Sequence, residues 1–131
     1  MRTIKFRGKT KQNGEWTYGD LEFNRQNGVA RIHTYNKAGM YEGQDIVDNE
    51  TVGQFTGLYD KNGKEIYEGD IMNDPTSVCV GVVEWNSILC QFQLSWQNMH
   101  TAADLFFMVK CGSFVIGNIH DNPELLKGRK R

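Results

Sequence analysis

No run of apolar residues in this chain approaches the roughly 20 residues that a membrane-crossing helix needs. The opening residues, Met1-Arg2-Thr3-Ile4-Lys5-Phe6-Arg7, are charged and alternating and lack the apolar stretch of a signal peptide, so a cytoplasmic location is expected. Cysteine is scarce and unpatterned. Cys79, Cys90 and Cys111 are odd in number, share no Cys-x-x-Cys spacing and sit among apolar neighbours, which predicts reduced core thiols rather than a disulfide framework. His33, His100 and His120 lie far apart with no His-x-x-x-His pair, so a metal site would need long-range convergence. Gly53, Gly57, Gly63 and Gly69 match neither G-x-x-x-x-G-K-S/T nor G-x-G-x-x-G, which excludes a local phosphate loop and leaves them as turn glycines.

What is present is ordinary globular material. The chain has 131 residues, 39% hydrophobic and 24% charged, enough for one domain or two very small ones with a core. A net charge of -1 hides an uneven distribution. Positions 1 to 11 hold Arg2, Lys5, Arg7, Lys9 and Lys11 with no acid, and Lys127, Arg129, Lys130 and Arg131 close the chain. Six other Lys and Arg face all sixteen acids, so the body carries a formal charge of about -10. Basic ends on an acidic body can attract a polyanion, fold back, or pair with a neighbouring subunit.

Read in order, the chain is a succession of short strands. Ile4 and Phe6 alternate with charge over residues 2–8, and Lys11-Gln12-Asn13-Gly14-Glu15 carries turn chemistry. The return strand places Trp16 and Tyr18 on one parity and Leu21 and Phe23 on the other, which predicts a bulge near Gly19. A turn at Asn27-Gly28 precedes a strand over Val29–Tyr35. The signal weakens from Met40 to Glu50, and a boundary there divides a 1–55 antiparallel meander from a 56–131 subdomain. In the second part, strands are expected over 70–73, 78–85, 89–96, 105–109 and 114–119, with one helical turn at Thr101-Ala102-Ala103. Five short strands suit a small barrel, and Asn122 as N-cap with Pro123 starts a short helix through Leu126.

The most structured stretch runs from Phe55 to Met72. Lys61-Asn62-Gly63 fits a three-residue loop that sets Asp60 opposite Lys64 and Leu58 opposite Ile66, whereas a two-residue turn would oppose Asp60 and Glu65. Tyr67-Glu68-Gly69-Asp70 suits a type II turn, with Gly69 supplying positive φ. This stretch, Thr56-Gly57-Leu58 followed by Asp60-Lys61-Asn62-Gly63-Lys64-Glu65-Ile66-Tyr67-Glu68-Gly69-Asp70-Ile71, resembles the signature of the YopX protein family. Ile4–Lys9 is similar to the family's opening strand, Glu50–Phe55 to the segment before the signature, and Ile116–Leu126 to its ending. The resemblance implies a protein of bacteriophages, prophages and related elements, with an all-β fold whose C-terminal half is an SH3-like barrel. It implies no activity, so it assigns no residue a role.

The candidate chemistry is thin. Asp60, Glu65, Glu68 and Asp70 cluster in sequence as paired carboxylates or a cation site might, yet turn and capping chemistry accounts for Asp60 and Asp70. Cys111 with His100 or His120 lacks a following helix N-terminus to activate the thiol. Trp16, Tyr18, Tyr35, Tyr59, Tyr67, Trp85 and Trp96 could form a binding platform, but two small cores are expected to bury most of them. Unpaired strand edges make self-association an expectation. No catalytic, cofactor-binding or metal residue is assigned. The first functional reading is therefore a noncatalytic interaction or assembly module that binds a phage or host protein or itself. The second is nucleic-acid binding through the basic termini and the barrel, and an enzyme comes third for want of a visible site.

Overall fold

Two Asn-Gly turns set the path of the first strands. Gly14 and Gly28 take φ of 73° and 72° and donate their N–H groups to the Thr10 and Asn24 carbonyls at 2.8 Å. These turns join β1 (Phe6–Lys9) to β2 (Trp16–Asn24) and β2 to β3 (Val29–Tyr35). The computed structural model describes residues 1–97 and 99–127, in two antiparallel units, Met1–Phe55 and Thr56–Arg131.

In the first unit β2 changes partner along its length, pairing β1 over Trp16–Gly19 and β3 over Asp20–Asn24. No register shift occurs on either side, so the bulge expected near Gly19 is absent. Glycine is needed there for another reason: a Cβ would stand 1.9 Å from the His33 carbonyl oxygen. Residues Tyr41–Val47, weak in sequence signal, form β4 against β3. Its far end returns to the end of β1, with Lys11 N–H donating to Ile46 and Asp48 N–H to Lys9, both at 2.9 Å. The curled sheet encloses Ala30, Ile32 and Val47, with Phe6, Leu21 and Val52 packed against them. A 3-10 turn at Asn49–Thr51, capped by Asp48, leads into β5 (Gly53–Tyr59), whose first residues pair with β1.

The second unit begins with the rest of β5, which turns through Lys61-Asn62-Gly63 into β6 (Glu65–Tyr67). Asp60 N–H donates to the Lys64 carbonyl and Gly63 N–H to Asp60, each at 2.9 Å, as a three-residue loop requires. Gly69, at φ 90°, launches β7 (Asp70–Asn73). A five-stranded sheet follows in the order β10 (Ala102–Asp104), β9 (Gln91–Trp96), β8 (Val80–Asn86), β7, β11 (Val115–Asn118).

Two expectations reverse in this unit. Thr101-Ala102-Ala103 is not a helical turn, since Ala102–Asp104 form β10, and 105–109 is not a strand, since Leu105–Lys110 form α1. Asp104 caps α1 by accepting the Phe107 N–H at 2.9 Å, and Leu105 and Met108, three apart, enter the core. That core also holds Ile66, Met72, Val83 and Leu94, each burial contributing about 1.5–3 kcal/mol. The short helix α2 (Glu124–Lys127) follows Asn122 and Pro123, with the Asn122 carbonyl accepting the Leu125 N–H at 3.1 Å and its side chain accepting the Asn118 N–H at 3.2 Å.

Candidate interaction surface

The acidic cluster of the central hairpin is built into the fold. One Asp60 oxygen accepts the Asn62 and Lys64 N–H groups at 2.9 and 3.0 Å, and the other accepts Val115 N–H at 3.0 Å. Burial pushes the Asp60 carboxyl up, but the Val115, Lys64 and Asn62 amides, with the Lys64 charge, outweigh it and hold the group below its ordinary value. Asp70 is buried and accepts Tyr67 N–H at 2.8 Å, while Glu65 accepts the Tyr67 hydroxyl at 2.8 Å. These bonds tie turns together, and among the described residues no group of three His, Cys, Asp or Glu is arranged to hold a metal.

The cysteines are free but are not core thiols. Cys90 and Cys111 are exposed and Cys79 is half-buried. Cys90 ends the tight β8–β9 turn at φ 54°, and Cys111 follows α1, so turn geometry rather than strand alternation sets their exposure.

The aromatics also depart from expectation. Only Tyr67 of the seven is buried; Trp16 and Trp96 are half-buried, and Tyr18, Tyr35, Tyr59 and Trp85 are exposed. Trp16 receives the N-terminal cations: the Arg7 guanidinium lies 4.4 Å and Lys9 Nζ 5.5 Å from its ring centroid. Lys5 Nζ lies 5.3 Å from the ring of buried Phe55. Basic side chains at β1 are therefore packed on rings within their own unit.

On the solvent face of β2, β3 and β4, His33 Nε2 meets Glu22 Oε1 at 2.7 Å and Nδ1 meets the Tyr41 hydroxyl at 3.1 Å. Tyr35 stands edge-on to Tyr41 at 5.6 Å. Loss of water around the ring, the Asp20 carboxylate with its hydrogen bond, and Tyr41 together raise the Tyr35 phenol above its ordinary value. Two grooves of this unit lie elsewhere. One, of about 320 Å³, is lined by Lys11, Asn27, Val29, Asp48 and Glu50 among others; the second, of about 360 Å³, by Leu21, Phe23, Ala30, Asn49 and Val52.

The second unit also exposes large apolar side chains. Val83, Trp85, Phe92 and Leu94 share one sheet face, because Val83 opposes Leu94 and Trp85 opposes Phe92 in the ladder. Leu105 and Met108 of α1 pack on this face at Leu94, and Phe92 joins the edge of that core. Trp85 continues the face outward, its ring 5.0 Å from Phe92 and 45% exposed. Beyond it the turn presents Ile88 at 91% and Leu89 at 62%, and the outer side of α1 presents Phe106 at 54% and Phe107 at 60%. Sequence reading singles out only Trp85 of these. Asp104 as cap, Lys110 in the last turn and Leu105 and Met108 at helical spacing are the signals that mark Phe106 and Phe107 as outward.

The model of the family described as YopX protein matches residues 5–127. The chain belongs to the YopX protein family. The YopX match covers the central hairpin and both flanks. A solved structure, the crystal structure of protein EF1440 from Enterococcus faecalis, is similar to this YopX chain with a TM-score of 0.57 and 26% identity. The similarity covers 96% of this chain and 99% of that one. A search of curated proteins found no match.

Proposed function

We propose that this YopX-family protein is a noncatalytic interaction or assembly module of a bacteriophage, prophage or related element, acting in the cytoplasm on a phage or host protein or on itself. The observation that carries this reading is the apolar end of the second unit, where Trp85, Ile88, Leu89, Phe106 and Phe107 are all open to solvent. Trp85, Ile88 and Leu89 stand on one hairpin, and clustered apolar exposure is characteristic of surfaces that meet another macromolecule. Among the described residues, Asp60 is engaged by turn and strand amides, and the His33–Glu22 pair lies on an open sheet face. Nucleic-acid binding is the weaker reading. Of its N-terminal cations Lys5, Arg7 and Lys9 lie over Phe55 or Trp16, and of the C-terminal Lys127, Arg129, Lys130 and Arg131 the last three lie outside the described residues.

The test is comparative co-purification from the cells that produce the protein. Tagged wild type, the Trp85→Ser, Phe107→Ser double variant and a Lys37→Ala control in an exposed turn are compared by quantitative mass spectrometry. The reading predicts a defined set of proteins held by wild type and control and lost from the double variant. Identical sets from all three would overturn it.

A further inference from the structure

On the solvent face of β2, β3 and β4 a carboxylate, an imidazole and a phenol stand in line. His33 Nε2 lies 2.7 Å from Glu22 Oε1, and His33 Nδ1 lies 3.1 Å from the Tyr41 hydroxyl. A carboxylate only accepts hydrogen bonds, so the neutral ring carries its proton on Nε2 and donates it to Glu22. Nδ1 is then the acceptor, and the Tyr41 O–H donates to it. A carboxylate orienting an imidazole whose other nitrogen holds a hydroxyl proton is the arrangement that activates an oxygen nucleophile. The strands fix it in place. Asp20 stands opposite His33 and Glu22 opposite Arg31 in the β2–β3 ladder, and the Tyr41 ring sits 5.8 Å from the His33 ring and edge-on to Tyr35. Among the described residues the Tyr41 hydroxyl has no second hydrogen-bond partner, and the residue is 53% exposed, so the lone pairs of its oxygen are open to a reagent. The neighbouring Tyr35 phenol is instead held by Asp20.

We propose that Tyr41 is a nucleophilic modification site that takes an uncharged acyl group, with His33 as its base and Glu22 as the residue that positions the base. In the step, the Tyr41 oxygen bonds to the acyl carbon and the phenol proton passes to His33 Nδ1. The bond from the acyl carbon to the leaving group breaks, and the leaving group departs with the bonding pair and receives that proton from the ring. Two carboxylates, Asp20 and Glu22, against one cation, Arg31, disfavour anionic donors such as phosphate esters on this face. The two grooves of this unit are lined by other residues, so the acyl donor meets Tyr41 from solution. The proposal is independent of the interaction-module reading, whose surface lies in the second unit.

The test is acetylation of the purified full-length chain by N-acetylimidazole at about pH 8, above the ordinary imidazole value, with each tyrosine followed by peptide mass spectrometry. Tyr59, equally exposed at 53%, is the reference. Tyr41 is expected to react at least about tenfold faster than Tyr59, since a positioned base contributes at least that much. Nitrogen NMR of the wild-type ring is expected to place the His33 proton on Nε2. His33→Asn, which cannot take the proton, is expected to bring Tyr41 down to the Tyr59 rate, and Glu22→Gln, which can also donate and no longer fixes the tautomer, to slow it. Tyr41→Phe removes the adduct. Buried Tyr67 staying unlabelled verifies folding in each variant. Equal rates at Tyr41 and Tyr59 in wild type overturn the proposal, as does a ring proton on Nδ1; neither readout needs a variant. Fast Tyr41 acetylation that persists in folded His33→Asn overturns it as well.

Discussion

Asp60 and Val115, 55 residues apart, are joined by a hydrogen bond of 3.0 Å from the Val115 N–H to the Asp60 carboxylate. The same side chain organises the Lys61-Asn62-Gly63 loop, so one acid fixes a local turn and a long-range strand contact together. Replacing it by alanine leaves three backbone donors without their acceptor. Asp60→Ala is expected to lose about 2–4 kcal/mol in urea unfolding, and Asp60→Asn, which keeps one carbonyl acceptor, to lose less.

A pH dependence follows from the same group. Its folded-state value is held below the unfolded one of about 3.9, so its stabilisation is present in full above that pH. It disappears as pH falls through the lower, folded-state value. Urea midpoints measured from pH 7 down to about pH 2.5 should therefore converge for wild type and Asp60→Asn at the acid end. A gap that stays constant with pH would show that the carboxylate charge is not what the three amides select.

In the first unit, Gly19 and Gly14 provide a contrast between crowding and backbone conformation. A Cβ at Gly19 would collide with the His33 carbonyl, whereas one at Gly14 would meet nothing within 4 Å and only strain a φ of 73°. Gly19→Ala should cost about 2–3 kcal/mol and Gly14→Ala about 1 kcal/mol. Equal losses in urea titrations would contradict the close approach of β2 and β3.

The all-β class, the Asn-Gly turns and the central hairpin were readable because glycine at positive φ and two-residue alternation are local signals. What was not readable depended on partners distant in sequence. Tyr41–Val47 is rich in polar residues and contains Gly43, and it is a strand because β3 on one side and Lys11 on the other supply its hydrogen bonds. Leu105–Val109 is apolar at every position, so alternation could not separate strand from helix. Asp104 at its start decides the matter, and Asp104→Ala is expected to cost about 1 kcal/mol and reduce the helical circular dichroism signal. The candidate surface was hidden for the same reason: apolar residues in a turn and on a short helix look like core until the elements beneath them are placed.

The basic termini make a separate prediction. With Arg7, Lys9 and Lys5 packed on rings, purified protein should show no salt-dependent binding to labelled single- or double-stranded DNA or RNA between about 50 and 200 mM salt. Binding that falls steeply over this range and vanishes on removal of residues 128–131 would place the nucleic-acid reading first.

The account stands most directly on position-specific photo-crosslinking in the producing cells. A benzophenone side chain is placed in turn at Trp85, at Phe107 and at Lys37, and adducts are resolved by mass. Discrete adducts from positions 85 and 107, with none from 37, are the result the account predicts, and their masses would distinguish a phage or host protein from a further copy of this chain. No adduct from either 85 or 107 would contradict the claim that this end of the second unit is a binding surface.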